Sequence, residues 1–195
     1  MICYHARMKT NLLLVSFALS LCIAINASSQ EPLNGLDKNL IQSAFDGKLK
    51  DVQALVTKGA AVDAVDPKKR TALMWAAANG HTAVVDFLHQ QGADINARDS
   101  DGRTALIYAT RRSYPPTVQF LLENGALPNV QSIKRGITAL NTAAAGGKAD
   151  IVRLLLAHGA DQSVAEHDGT TALQRARENG SAEVISLLDA PPNKT

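Results

Sequence analysis

Polar and apolar positions alternate along this chain in short blocks that point to paired helices. Asp66-Pro67-Lys68-Lys69-Arg70 is a polar turn that gives way at Thr71 to an alanine-rich segment, Leu73 to Ala78. Asn79-Gly80 breaks that segment. Val84, Val85, Phe87 and Leu88 then fall at i, i+1, i+3 and i+4, the apolar stripe of an amphipathic helix. Gly92 stands where a helix closes on a left-handed residue. Asp94-Ile95-Asn96 is expected to lead out as an extended loop. Thr71 sits where an N-cap belongs, its hydroxyl able to accept a free backbone N–H.

The block recurs. Thr-Ala-Leu appears at 71–73, 104–106, 138–140 and 171–173, in steps of 33, 34 and 33 residues. Gly-Ala keeps the same beat at 59–60, 92–93, 125–126 and 159–160. Two markers with one period mean an array of similar units. Ala76 and Ala77 line the first helix of the unit, so neighbours approach closely there. The second helix carries the large side chains. Neither helix buries its face alone, so the units must stack. The predicted fold is an all-α repeat solenoid over residues 36–190, in units 36–65, 66–98, 99–131, 132–165 and 166–190, followed by a tail at 191–195.

Period and grammar together resemble the ankyrin repeat family, in register across those five units. The resemblance implies helix–turn–helix units joined by β-hairpin-like turns. It also implies a non-catalytic module without cofactor that binds a protein partner through its turn tips and first helices. The chain departs from the family's Thr-Pro-Leu-His, with Met74, Ile107, Asn141 and Gln174 at the histidine position, so the Thr–His hydrogen bond is expected to be missing. Lys38-Asn39-Leu40 replaces the motif in unit one. Arg175, Arg177 and Glu178 mark unit five. Both are expected of end caps with polar outer faces.

Unit three differs most. Ser113 replaces the usual glycine, and Tyr114-Pro115-Pro116 follows, so the second helix is expected to start at Pro116. One extra residue between Gly125 and Thr138 lengthens the turn near Ser132, and Pro128 is expected to stiffen a strand leading to it. Drift in a surface turn and a turn reshaped for a partner both account for it.

The first 27 residues read differently. Arg7 and Lys9 precede an apolar run from Leu12 to Ile25, and small residues follow, which is the make-up of a secretory signal peptide cleaved after Ala27. Translation starts at Met1 or Met8. Residues 28–35 are a linker. Leu21 before Cys22 argues against lipid attachment, and both cysteines, Cys3 and Cys22, lie in the leader. Without Arg7 and Lys9, 18 basic residues of the chain's 20 remain against 18 acidic ones. Global charge therefore favours neither nucleic acid nor membrane.

The turn tips concentrate positive charge: Lys68, Lys69 and Arg70 in unit two, Arg103 beside Asp101 in unit three, and Lys134 and Arg135 in unit four. Arg111 and Arg112 end the first helix of unit three. A basic stripe on a neutral molecule suits an acidic partner surface, and solvated tips give the same pattern. Trp75 and Tyr108 share one position of successive units, where they serve either as a stacked contact pair or as packing between repeats. Tyr114, beside prolines, is a further contact candidate. No histidine pair with ligand spacing, phosphate loop or nucleophile motif appears, and Asp99 and Asp101 are expected on an open turn. The chain is thus expected to be a monomeric, exported protein-binding array, without metal or cofactor. Lys68, Arg70, Trp75, Arg103, Arg111, Arg112, Tyr114, Lys134 and Arg135 form its contact surface. The leader serves a periplasmic module, or a secreted effector acting on a host or competitor protein.

Overall fold

The computed structural model describes residues 34–189. The expected signal peptide with Cys3 and Cys22, nearly all of the expected linker, and the expected tail lie outside the described residues. Among the described residues ten helices pair off as five hairpins. They are α1 Gly35–Phe45 with α2 Leu49–Thr57, α3 Ala72–Ala78 with α4 Thr82–Gln90, and α5 Ala105–Arg112 with α6 Pro115–Glu123. α7 Ala139–Ala145 with α8 Ala149–Ala157 and α9 Ala172–Asn179 with α10 Ala182–Asp189 complete the stack. No strand occurs among the described residues.

Helices this short are marginal alone, so tertiary packing must hold them. Odd-numbered helices contact one another in one row, and even-numbered helices form a second row behind them. The first row meets through small residues: Ala72, Ala76 and Ala77 of α3, Ala105 and Ala109 of α5, Ala139, Ala143 and Ala144 of α7, and Ala172 and Ala176 of α9 are all buried. The second row supplies volume through Val84, Val85 and Leu88, Val118 and Leu121, Ile151, Val152 and Leu155, then Val184 and Leu188. Each such Leu or Val contributes about 1.5–3 kcal/mol by leaving water.

Hydrogen bonds fix the register between units. At the tips, the N–H of Ser100 donates to Lys68 O at 2.9 Å, that of Ile133 to Asp101 O at 2.7 Å, and that of His167 to Arg135 O at 2.9 Å. At the opposite turns Asn96 and Asn129 each bridge to the next unit. Asn96 Nδ2 donates to Gly125 O at 3.0 Å while its Oδ1 accepts from Leu127 N at 2.9 Å. Asn129 does the same with Gly159 O and Asp161 N, at 3.1 and 2.8 Å. The expected extended loop at 94–96 is instead a tight turn closed by Ala97 N–H on Asp94 O at 3.2 Å. Pro128 likewise sits in a turn, and no strand leads to Ser132.

The tips are hairpin-like. Asp66, Asp99 and Glu166 each donate N–H to the carbonyl four residues on, at 3.0, 3.0 and 2.9 Å. In unit four Ser132 donates to Ile137, five residues on, at 3.0 Å, which absorbs the extra residue. In unit three Ser113 takes the left-handed conformation, φ 62°, that glycine usually fills. Helix α6 starts at Pro115, one residue earlier than expected, because both prolines fit a first turn. In unit one, α1 starts at Gly35, so Lys38-Asn39-Leu40 lies within the helix.

The helix starts amend one further expectation. Thr71 accepts from Met74 N at 3.2 Å, as predicted. The bond assigned to the family's histidine is nonetheless made in two units by amides. Asn141 Oδ1 accepts from Thr138 N at 3.1 Å, and Gln174 Oε1 accepts from Thr171 N at 2.7 Å. Both form capping boxes. Thr104, followed by Ile107, has no such partner, and its buried hydroxyl makes no hydrogen bond.

Thr138→Val should therefore destabilise the array by about 1–2 kcal/mol, the usual worth of an N-cap bond. Thr104→Val should lie within about 0.5 kcal/mol of wild type, since it removes a buried hydroxyl that has no partner. Urea unfolding of the two variants checks this, and equal losses would refute the capping assignment.

Candidate protein-binding surface

The tips and first helices of units three to five enclose a groove of about 820 Å³. Its walls are the tips, with Asp101, Arg103, Lys134, Arg135 and Glu166. Its floor is α5, α7 and α9, through Ile107, Tyr108, Arg111, Asn141, Ala145 and Arg175, and Lys148 closes one end.

The predicted stripe resolves into ion pairs. Arg70 Nη2 lies 2.6 Å from Asp66 Oδ2. Asp101 sits between Arg103, at 3.2 Å, and Lys134, at 2.9 Å. Arg135 reaches Glu166 of the next unit at 3.2 Å, and Arg175 grips the same carboxylate with two hydrogen bonds of 2.8 Å. The tips are therefore a row of alternating charge rather than a bare basic stripe. Lys68 is exposed at the unit-two tip and Arg112 at the end of α5, and neither lines the groove.

The aromatic expectations change too. Trp75 meets Phe45, with ring centroids 5.2 Å apart and edge-on, and carries the Arg70 guanidinium 4.1 Å above its ring. Tyr108 turns inward, and its hydroxyl donates to Asp99 Oδ2 at 2.6 Å. Trp75 and Tyr108 thus serve separate partners and do not stack. Asp99 is buried at 5% exposure, not open to solvent, and also accepts from the backbone of Asp101 and Arg103. Burial, then the bond to Asp99, pushes the Tyr108 hydroxyl up from its usual pKa.

Tyr114 is half-buried, because its ring lies over Gly80 of the preceding unit, where a Cβ would come within 2.4 Å of it. His81 covers Gly47 in the same way, and its Nε2 lies 3.1 Å from Phe45 O. The equivalent residue of unit four is Lys148. Its Nζ donates to Thr110 O and Arg111 O, both at 2.8 Å, at the C-terminus of α5. Burial, then Arg111, pulls its ammonium below the usual pKa.

Of the nine predicted contact residues, the groove brings together Arg103, Arg111, Lys134 and Arg135. Trp75 and Arg70 form a separate patch with Phe45, itself 42% exposed. Glu166, Lys148 and Asn141 were missed. Periodicity pointed to two of them: Glu166 follows Asp66 and Asp99 in register, and Lys148 follows His81 and Tyr114. Among the described residues no group of His, Cys, Asp or Glu has the geometry to hold a metal ion, and no helix is long and apolar enough to cross a membrane.

Several tip carboxylates are held below their ordinary range. A hydrogen bond from Lys134 does this for Asp101, and bonds from Thr170 for Asp168. At Asp66 burial pushes upward, but the bonds from Arg70 and from the Arg70 and Lys68 backbone outweigh it. A depressed carboxylate stabilises the fold above its unfolded pKa, and that contribution is lost as pH falls through the folded value. The urea midpoint should hold steady from pH 7 to 5 and drop below about pH 4, where free Asp begins to protonate. A midpoint unchanged at pH 3 would contradict the pairing.

The family model for ankyrin repeats (3 copies) matches residues 40–132 and 128–194, which together span most of the chain. A search of curated proteins finds no significant match. With helix pairs stacked in register, hairpin-like tips and threonine-capped first helices on the page, the chain belongs to the ankyrin-repeat family.

Proposed function

We propose that this chain is a non-catalytic protein-interaction module, exported to the periplasm, that docks a partner on its concave face. Ankyrin repeats generally mediate protein–protein interaction, and the chain carries them along most of its length. The observation that carries the reading is the groove itself: tips, first helices and Lys148 converge on one concave surface lined by charge and by Tyr108. Backbone bonds between successive tips hold that surface before any partner arrives. A preformed surface loses less conformational entropy on binding. Arg70, Trp75 and Phe45 add an aromatic and cationic anchor in units one and two, the residue types that dominate interface energetics.

The groove lining supports an acidic partner, since six Lys and Arg side chains stand there against three acids. Export rests on the sequence: Arg7 and Lys9, the apolar run from Leu12 to Ile25, and Ala27 as the exit. The same leader serves release to the medium, where the target would lie outside the cell.

A photo-crosslinking residue placed at Ala145 or Lys134, in the groove, should trap a partner protein when the full chain is expressed in its own cell. The same residue at Gln119 or Arg153, on the second-helix row, should not. Fractionation should recover the adduct in the periplasm. Crosslinks from Gln119 and Arg153 alone would overturn the concave-face assignment, and an adduct confined to the cytoplasm would overturn export.

A further inference from the structure

The row of tip acids is interrupted once, and the interruption faces the groove. The first residue of the turn is Asp66 in unit two, Asp99 in unit three and Glu166 in unit five. Each accepts hydrogen bonds from its own unit: Asp66 from Arg70, Asp99 from Tyr108 and Glu166 from Arg175. In unit four the residue is Ser132, as buried as Asp99, and its hydroxyl accepts only from the Ile137 backbone, at 3.0 Å. The cations of that tip turn to neighbouring units, Lys134 to Asp101 and Arg135 to Glu166.

Two cations between α5 and α7 are left without an acid. Among the described residues neither Arg111 nor Lys148 makes an ion pair, yet they sit together at one end of the groove. What holds the two like charges side by side is the C-terminus of α5. Its terminal carbonyls accept two hydrogen bonds from the Lys148 ammonium, and helix C-termini favour positive charge. An ammonium has three donors, so one remains. Arg111 lies 5.9 Å from the Tyr108 ring centroid, exposed, and keeps its fork of N–H donors. In the floor, Asn141 Nδ2 is buried and finds no acceptor.

We infer that the groove between α5 and α7 seats a carboxylate-bearing segment of the partner protein, received by Arg111 and Lys148. This rests on the concave face being the binding face. Mixed charge on the walls selects a protein segment. Acids among the lining, Asp101, Glu166 and Glu178, disfavour the uniform charge of a polyphosphate backbone, and the exposed Glu178 can meet a basic residue flanking an acidic one.

The test is a selection of random twelve-residue phage-displayed peptides on the full chain. Binders are then measured against three variants, each checked for folding by its thermal unfolding curve. Arg111→Gln removes one receiver from an exposed position and leaves packing alone. Lys148→Met added to it removes both. Ala145→Trp fills the groove without touching either. The inference expects Asp- and Glu-enriched peptides that lose about tenfold or more in affinity with Arg111→Gln, as a truncated charge-assisted contact does, and more in the double variant. These peptides also fail to bind Ala145→Trp. Peptides blocked by Ala145→Trp but indifferent to Arg111→Gln and to the double variant, or without acidic enrichment, would overturn the carboxylate seat and keep the concave face. Peptides indifferent to all three would overturn both.

Discussion

Close approach of the first helices is the constraint on which everything else depends. Ala76, Ala77, Ala109, Ala143 and Ala144 are fully buried and leave no room for a larger side chain between neighbours. Leu, Val and Ile fill the second row at the same time. A thin row in front of a thick row stacks with its hollow on the thin side, and the tips project over that hollow. The groove therefore follows from the alternation of small and large residues between helices. It is an outcome of packing before it is a matter of surface chemistry, and no unit has it alone.

Polar ties turn the stack into a fixed surface. Asn96 and Asn129 bridge carbonyl and amide of the following unit, and the tips repeat the same economy with backbone alone. Most tip charges are committed to one another, which leaves few of them free of an ion pair. Such pairs add little stability when exposed, but they set where each guanidinium and carboxylate stands. Arg135 and Arg175 converging on the buried Glu166 is the firmest of these.

The array was legible in the sequence because its two markers and apolar stripes report backbone and core, which repeat. Thr71 as a cap and the buried Ala76 and Ala77 are as read. What escaped lies in side-chain direction between units. Charge counting along the tips saw Arg103, Lys134 and Arg135 as one field, but whether Asp101 neutralises two of its neighbours depends on distances that only stacking sets. Trp75 and Tyr108 share a register position and still part company. Phe45 lies beside the first, and Asp99 waits beneath the second. Asn141 and Gln174 took over the histidine's bond because an amide oxygen reaches the same N–H, a substitution that a motif comparison counts as a loss.

The central claim is that the concave surface is built before a partner binds. Amide hydrogen exchange on the unliganded chain tests it most directly. The tip N–H groups of Ser100, Ile133 and His167 are hydrogen-bonded across unit boundaries and should exchange far more slowly than free peptide. Amides within α3, α5 and α7 should open only in the global unfolding step. Tip amides exchanging at free-peptide rates while the helices stay protected would mean that the surface forms only on binding, and would contradict the account.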